Sequence, residues 1–118
     1  MGKAKSAIES QEEALKKAVE FVKEASIRLK ELGFIVRGAY LVGSRARGDY
    51  TEESDVDIVL VIDGVETLNT LDRLNLVKDL LKPKLDVIVY SPEEWYSETS
   101  AWIKELKKEA KPLLIHKA

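Results

Sequence analysis

The chain contains no cysteine, only three prolines and six glycines, and a single histidine among its 118 residues. Without thiols there are no disulfides, no thiolate nucleophile and no cysteine-bound zinc. The one histidine, His116, sits near the end of the chain, where a surface position is expected more than a general base. No apolar run approaches the ~20 residues needed to span a bilayer. The opening segment "MGKAKSAIESQEEALKK" turns acidic before any apolar block forms, so no signal peptide is expected. A basic excess is missing too: 19 Lys and Arg face 21 Asp and Glu, giving a net charge of -2. That balance speaks against a general nucleic-acid binder, which needs cations to neutralise phosphates. Linkers, repeats and low-complexity tracts are absent. What is present, 45% hydrophobic and 34% charged residues, is the composition of a globular domain with its own core. One domain over residues 1–118 and a cytoplasmic location are the expectations. The abundance of Lys and Glu gives a compositional hint of a thermophilic source.

Periodicity divides the chain into alternating elements. From Ser6 to Leu32, apolar residues at Leu15, Ala18, Val19, Val22, Ala25, Leu29 and Leu32 recur at spacings of three and four, which predicts a one-sided helix. Both Ser6-Ala-Ile-Glu9 and Ser10-Gln-Glu-Glu13 match a capping box, and Gly33 supplies a stop. "FIVRGAYLV" (34–42), "VDIVLVI" (56–62) and "LDVIVY" (85–90) predict strands, the second apolar enough to be covered on both faces. Between the last two, residues 66–82 predict a helix with a buried stripe of Leu68, Leu71, Leu74, Val77 and Leu81. Ser91-Pro-Glu-Glu94 is a strong helix start, with the helix running in one or two pieces to about residue 110. "PLLIH" (112–116) reads as a closing edge strand. The order α-β-β-α-β-α-(β) predicts an α+β fold in which a small mixed sheet packs against helices.

Acids interrupt these apolar strands. Asp55 and Asp57 are two apart at the opening of the second strand, so they project the same way. Asp86 interrupts the third strand in the same manner. Carboxylates held this close repel each other, and burying them unpaired is costly. A hard divalent cation such as Mg²⁺ relieves that cost, and if the strands are neighbours, three carboxylates can hold two ions at ~3.5–4 Å. Eleven residues before Asp55, Gly43-Ser44 leaves the first strand. Gly43 lacks a Cβ, so a phosphate can approach its backbone. Ser44 then begins a short helical turn, "SRAR", closed by Gly48. Phosphate at one end and metal at the other make a nucleoside triphosphate clamp.

"GSRARGDYTEESDVD" followed by a later strand-borne Asp resembles the nucleotidyltransferase superfamily typified by DNA polymerase beta. The small size, the GSRARG wording and "YSPEEW" are most similar to the minimal nucleotidyltransferases, commonly encoded beside a helical HEPN protein. The resemblance implies transfer of a nucleoside monophosphate, usually AMP from ATP, to a hydroxyl. By position, Asp55 and Asp57 would ligate Mg²⁺ and the triphosphate. Asp86 would hold a second metal, with Mn²⁺ an alternative ion, and help deprotonate the attacking hydroxyl. Gly43 and Ser44 would bind the β- and γ-phosphates. The family often acts as antitoxin, modifying a tyrosine of the HEPN partner by AMPylation. An attached helical substrate domain, present in larger relatives, is missing, which favours a partner in trans; a homo- or hetero-oligomer is compatible with that.

Competing readings stay open. A site that binds nucleotide but turns over poorly would make the protein an antitoxin or subunit that works by docking. Transfer to a small molecule or an RNA end is a further alternative, disfavoured by the missing domain and the acidic balance. Of Arg45 and Arg47, one is expected to contact the nucleotide and the other to brace the loop. Trp95 and Trp102, seven apart, are expected on one helical face as core or partner-facing residues rather than as base-stacking platforms. Lys104, Lys107, Lys108 and Lys111 read as a solvated face.

Overall fold

A computed structural model describes residues 6–113. The first helix, α1 (Ala7–Glu31), starts at Ser6, whose hydroxyl accepts the Glu9 N–H while the Glu9 carboxylate accepts the Ser6 N–H. Of the two possible starts this one prevails because Ser10 lies a turn further in and is buried. Gly33, at φ +94°, ends the helix in a conformation that disfavours a side chain. Ala14, Ala18, Phe21, Val22, Ala25 and Leu29 form the buried stripe, while Leu32 is exposed.

The sheet has the order β3-β2-β1-β4. Strand β1 (Ile35–Val42) runs antiparallel to β2 (Val56–Asp63), with a bulge at Arg37. Strand β3 (Leu85–Tyr90) runs parallel to β2, and the two-residue β4 (Lys111–Pro112) pairs with the other edge of β1. The sheet is therefore mixed and covered on both faces. Ile58, Leu60 and Ile62 face α1 in one apolar cluster; Val59 and Val61 belong to a second cluster with Trp95, Ile103 and Leu106. This two-sided burial explains why β2 is almost continuously apolar.

Residues 66–82 do not form the single helix that their spacing predicts. Asn69 caps a short α3 (Thr70–Asn75), and a 3-10 turn over Lys78–Leu80 follows. Before the cap, the Val65 and Leu68 carbonyls accept the Nε–H of buried Arg73, so tertiary bonds replace helical ones there. Val77, at φ -130°, then breaks the helical path while its side chain is buried. Leu71, expected inside, is exposed.

After β3 the chain makes α4 (Pro92–Tyr96), with the anticipated capping box of Ser91 and Glu94, and α5 (Ala101–Glu109), capped by Ser100. The break between them corrects the shared face expected for the tryptophans: Trp95 is buried against Tyr40 and Tyr90, whereas Trp102 is 59% exposed. Of the closing strand read over 112–116, Pro112 belongs to β4, and residues 114–116, His116 included, lie outside the described residues.

Candidate active site

The β1–α2 bend brings the site together. Val42 ends β1, Gly43 turns the chain at φ +79°, and α2 (Ser44–Arg47) closes on Gly48 at φ +98°. A Cβ on Gly43 would run into Oδ2 of Asp57, so the bend can press against the β2 carboxylate only because the residue is glycine. Val42 is itself the cross-strand partner of Asp57.

Asp57 is in turn the register partner of Asp86 across the parallel β2–β3 pair. Asp55, one residue before β2, lies near enough for its charge to act on Asp57. Asp57 is partly buried, whereas Asp55 and Asp86 are exposed. Burial pushes the Asp57 carboxyl above its ordinary range, and the charges of Asp86, Asp55 and Glu109 push it further, against a smaller opposing effect of Arg47.

Gly43, Ser44, Arg47 and Asp57 line a cleft of about 450 Å³ together with Ile88, Trp102, Leu106 and Glu109. Among the described residues, no group of three or more Asp, Glu, His or Cys is gathered tightly enough to enclose an ion as the side chains stand.

The two arginines part ways. Arg45 is buried, and its guanidinium donates to Ser10 Oγ, Gln11 Oε1 and the carbonyls of Thr51, Glu52 and Ser54. It joins α1 to the loop that leads into Asp55. Arg47 borders the cleft and pairs with Asp49 at 3.2 Å and Glu109 at 3.0 Å.

Glu109 is the site residue that reading the sequence misses. Its Oε2 accepts the Gly43 N–H at 2.6 Å. The one local signal is its position in the last turn of α5, where the helix dipole disfavours an acid. Trp102 is not in the core and offers an open indole to the same cleft.

The sequence profile of the family described as "Nucleotidyltransferase domain" matches residues 15–111. A protein of Methanocaldococcus jannaschii named "putative protein adenylyltransferase" is 34% identical over 70 residues, covering 59% of this chain and 68% of that one. A crystal structure of a "putative nucleotidyltransferase" from Sulfolobus solfataricus is similar at a TM-score of 0.75 and 36% identity, covering 95% of this chain and 89% of its own.

Proposed function

The chain belongs to the nucleotidyltransferase domain family, and we propose that it transfers a nucleoside monophosphate, AMP from ATP, to a hydroxyl on a partner protein. The observation that carries this reading is the placement of Asp57, with Asp55 and Asp86 acting on it, directly against the Gly43 bend. Among the described residues none of these three aspartates has an ion-pair partner. An oxygen-only donor set that forms no ion pair, with Arg47 as a weaker opposing charge, fits a hard divalent ion. Asp55 and Asp57 would hold one such ion, and Asp57 and Asp86 a second. Bound there, the ions would neutralise the charge that develops on the leaving pyrophosphate.

The chain's own groups position the reactants. Gly43 and Ser44 receive the β- and γ-phosphates, and Arg47 adds a charged donor. Trp102 and Leu106 wall the remainder of the cleft, where the nucleoside lies. The acceptor oxygen bonds to the α-phosphorus as the bond to the β-phosphate bridging oxygen breaks. The hydroxyl proton passes to Asp86, the more solvated of the two register-paired acids. The barrier falls mainly by orientation and by fixed charge.

A protein acceptor is favoured by the name carried by the Methanocaldococcus jannaschii relative and by the resemblance to the minimal nucleotidyltransferases, commonly encoded beside helical HEPN proteins and often acting as antitoxins. Incubation with a HEPN-type helical protein encoded beside this chain's gene, labelled ATP and Mg²⁺ should label such a partner, and Asp57→Asn should abolish the signal. No transfer from any of the four NTPs, with either Mg²⁺ or Mn²⁺, would defeat the proposal. A second reading is a docking antitoxin with weak turnover, favoured by Glu109 filling the Gly43–Arg47 contact. Asp57→Asn separates the two, because neutralisation by docking would survive it.

A further inference from the structure

Two donors on the phosphate side of the cleft, the Gly43 N–H and the Arg47 guanidinium, are both bound to one carboxylate. Glu109 Oε2 accepts the Gly43 N–H at 2.6 Å, and Oε1 accepts the Arg47 Nη1–H at 3.0 Å. Two oxygens of one anion bridging a backbone amide and a guanidinium is how a phosphate would be held there. The Glu109 side chain is only 18% exposed.

Nothing on α5 favours this placement. An acid in the last turn of a helix faces the negative end of the dipole. The neighbouring lysines are engaged elsewhere, Lys107 with Glu98 and the Trp95 carbonyl, Lys108 with Glu105. Glu109 also adds its charge to those of Asp86 and Asp55 around Asp57. Asp57 and Glu109 thus line one cleft, the charges of Asp55 and Asp86 act on Asp57 beside it, and the cradle of Gly43 and Arg47 holds Glu109 in place.

We propose that Glu109 is the specificity-determining residue of the phosphate subsite: the chain's own anion, occupying the cradle until a polyphosphate arriving with divalent cations replaces it. A bare polyphosphate must expel Glu109 into a cleft already crowded with negative charge. A polyphosphate carrying cations brings the charge that accommodates the expelled carboxylate. Glu109 thereby selects metal-complexed triphosphate over free phosphate and pyrophosphate. This inference rests on the reading of the cleft as a nucleotide site, but its test involves no transfer step.

The probe is inorganic tripolyphosphate, titrated calorimetrically into the full chain with EDTA or with Mg²⁺. Wild type should bind it far more tightly with Mg²⁺. Glu109→Gln keeps an oxygen for the Gly43 N–H but removes the charge, and it should bind the probe about tenfold more tightly without metal. Glu109→Ala, which also removes the contact, should move in the same direction. Adding Arg47→Met to Glu109→Gln should erase the gain, which places the probe in the cradle. Unchanged or weaker metal-free binding in both Glu109 variants overturns the proposal. So does wild-type binding that ignores Mg²⁺, or no binding by any of the proteins. If these titrations succeed while labelled ATP modifies nothing, the transfer reading fails and the assignment of Glu109 stands.

Discussion

Asp57 on β2 and Asp86 on β3 stand side by side in register, their carboxylates on one face of the sheet. Neither has an ion-pair partner among the described residues. A fold tolerates such a pair at a cost, and the cost has a pH signature. Burial first, then Asp86, Asp55 and Glu109, raise the Asp57 pKa above its unfolded value. The folded state therefore holds that proton more tightly than the unfolded chain does. Stability from this group is fully present below the ordinary carboxylate range and is lost as pH rises through the raised folded value. Asp57→Asn should remove that loss. In urea unfolding without divalent ions, the variant should gain on wild type as pH rises from about 4 towards neutrality. The gain should be at most about 1 kcal/mol, because the pair is partly solvated. Transfer activity should fall at least ~100-fold in the same protein. A variant less stable than wild type at neutral pH would show that the acids are not repelling each other.

The two glycines that bracket α2 should respond very differently to alanine. Both have positive φ, +79° at Gly43 and +98° at Gly48, so each pays a backbone penalty of about 1 kcal/mol. At Gly48 a Cβ meets nothing within 4 Å, whereas at Gly43 it collides with the Asp57 carboxylate. Gly48→Ala should therefore cost about 1 kcal/mol. Gly43→Ala should cost at least ~2–3 kcal/mol and abolish nucleotide binding. Chemical denaturation of both variants, with a nucleotide titration of each, checks the contrast.

How legible the chain is depends on how local the determining interactions are. Strand β3 (Leu85–Tyr90) coincides with its apolar run, and α4 starts at the capping box that Ser91 and Glu94 announce. These signals lie within a few residues of the structure they specify. The helix read over 66–82 fails because Arg73, reaching back to the Val65 and Leu68 carbonyls and across to Glu94, overrides an apolar spacing that is otherwise helical. Asp55, Asp57 and Asp86 stand out in sequence because acids rarely interrupt buried strands. Glu109 does not, since its partner Gly43 is 66 residues away and a glutamate on a lysine-rich helix reads as solvated. Likewise, the different fates of Arg45 and Arg47 depend on which way a four-residue helix turns its sides.

Arg45 should prove a bracing residue whose loss reaches the site indirectly. Its planar donors hold Ser10 and Gln11 of α1 and three carbonyls of the loop before Asp55, and its guanidinium lies over the Tyr50 ring. Lysine reproduces the charge but not the fork. Arg45→Lys should therefore destabilise the protein by about 2–3 kcal/mol and leave partly buried carbonyls short of donors. Hydrogen exchange should show faster opening of residues 49–55. If activity disappears while stability and exchange stay unchanged, Arg45 touches substrate instead.

Trp102 gives the proposed nucleoside end of the cleft its own readout. Its indole is 59% exposed, while Trp95, the other tryptophan, is 2% exposed and enclosed by Tyr40 and Tyr90. A ligand entering the cleft can therefore quench only one of the two fluorophores directly. Cleft volume of about 450 Å³ shared by Trp102, Gly43, Ser44 and Asp57 suits a molecule with phosphates at one end and an aromatic base at the other. Base–aromatic stacking contributes about 1–3 kcal/mol, so Trp102→Ala should weaken ATP binding roughly tenfold or more. Trp102→Phe should recover most of that loss, because a smaller ring still stacks. Binding of inorganic tripolyphosphate, which has no base, should be the same in all three proteins. The fluorescence quench by ATP should vanish in Trp102→Ala and persist when Trp95 is replaced by Phe. Equal ATP affinity in wild type and Trp102→Ala would place the base elsewhere and leave the exposed indole to the acceptor.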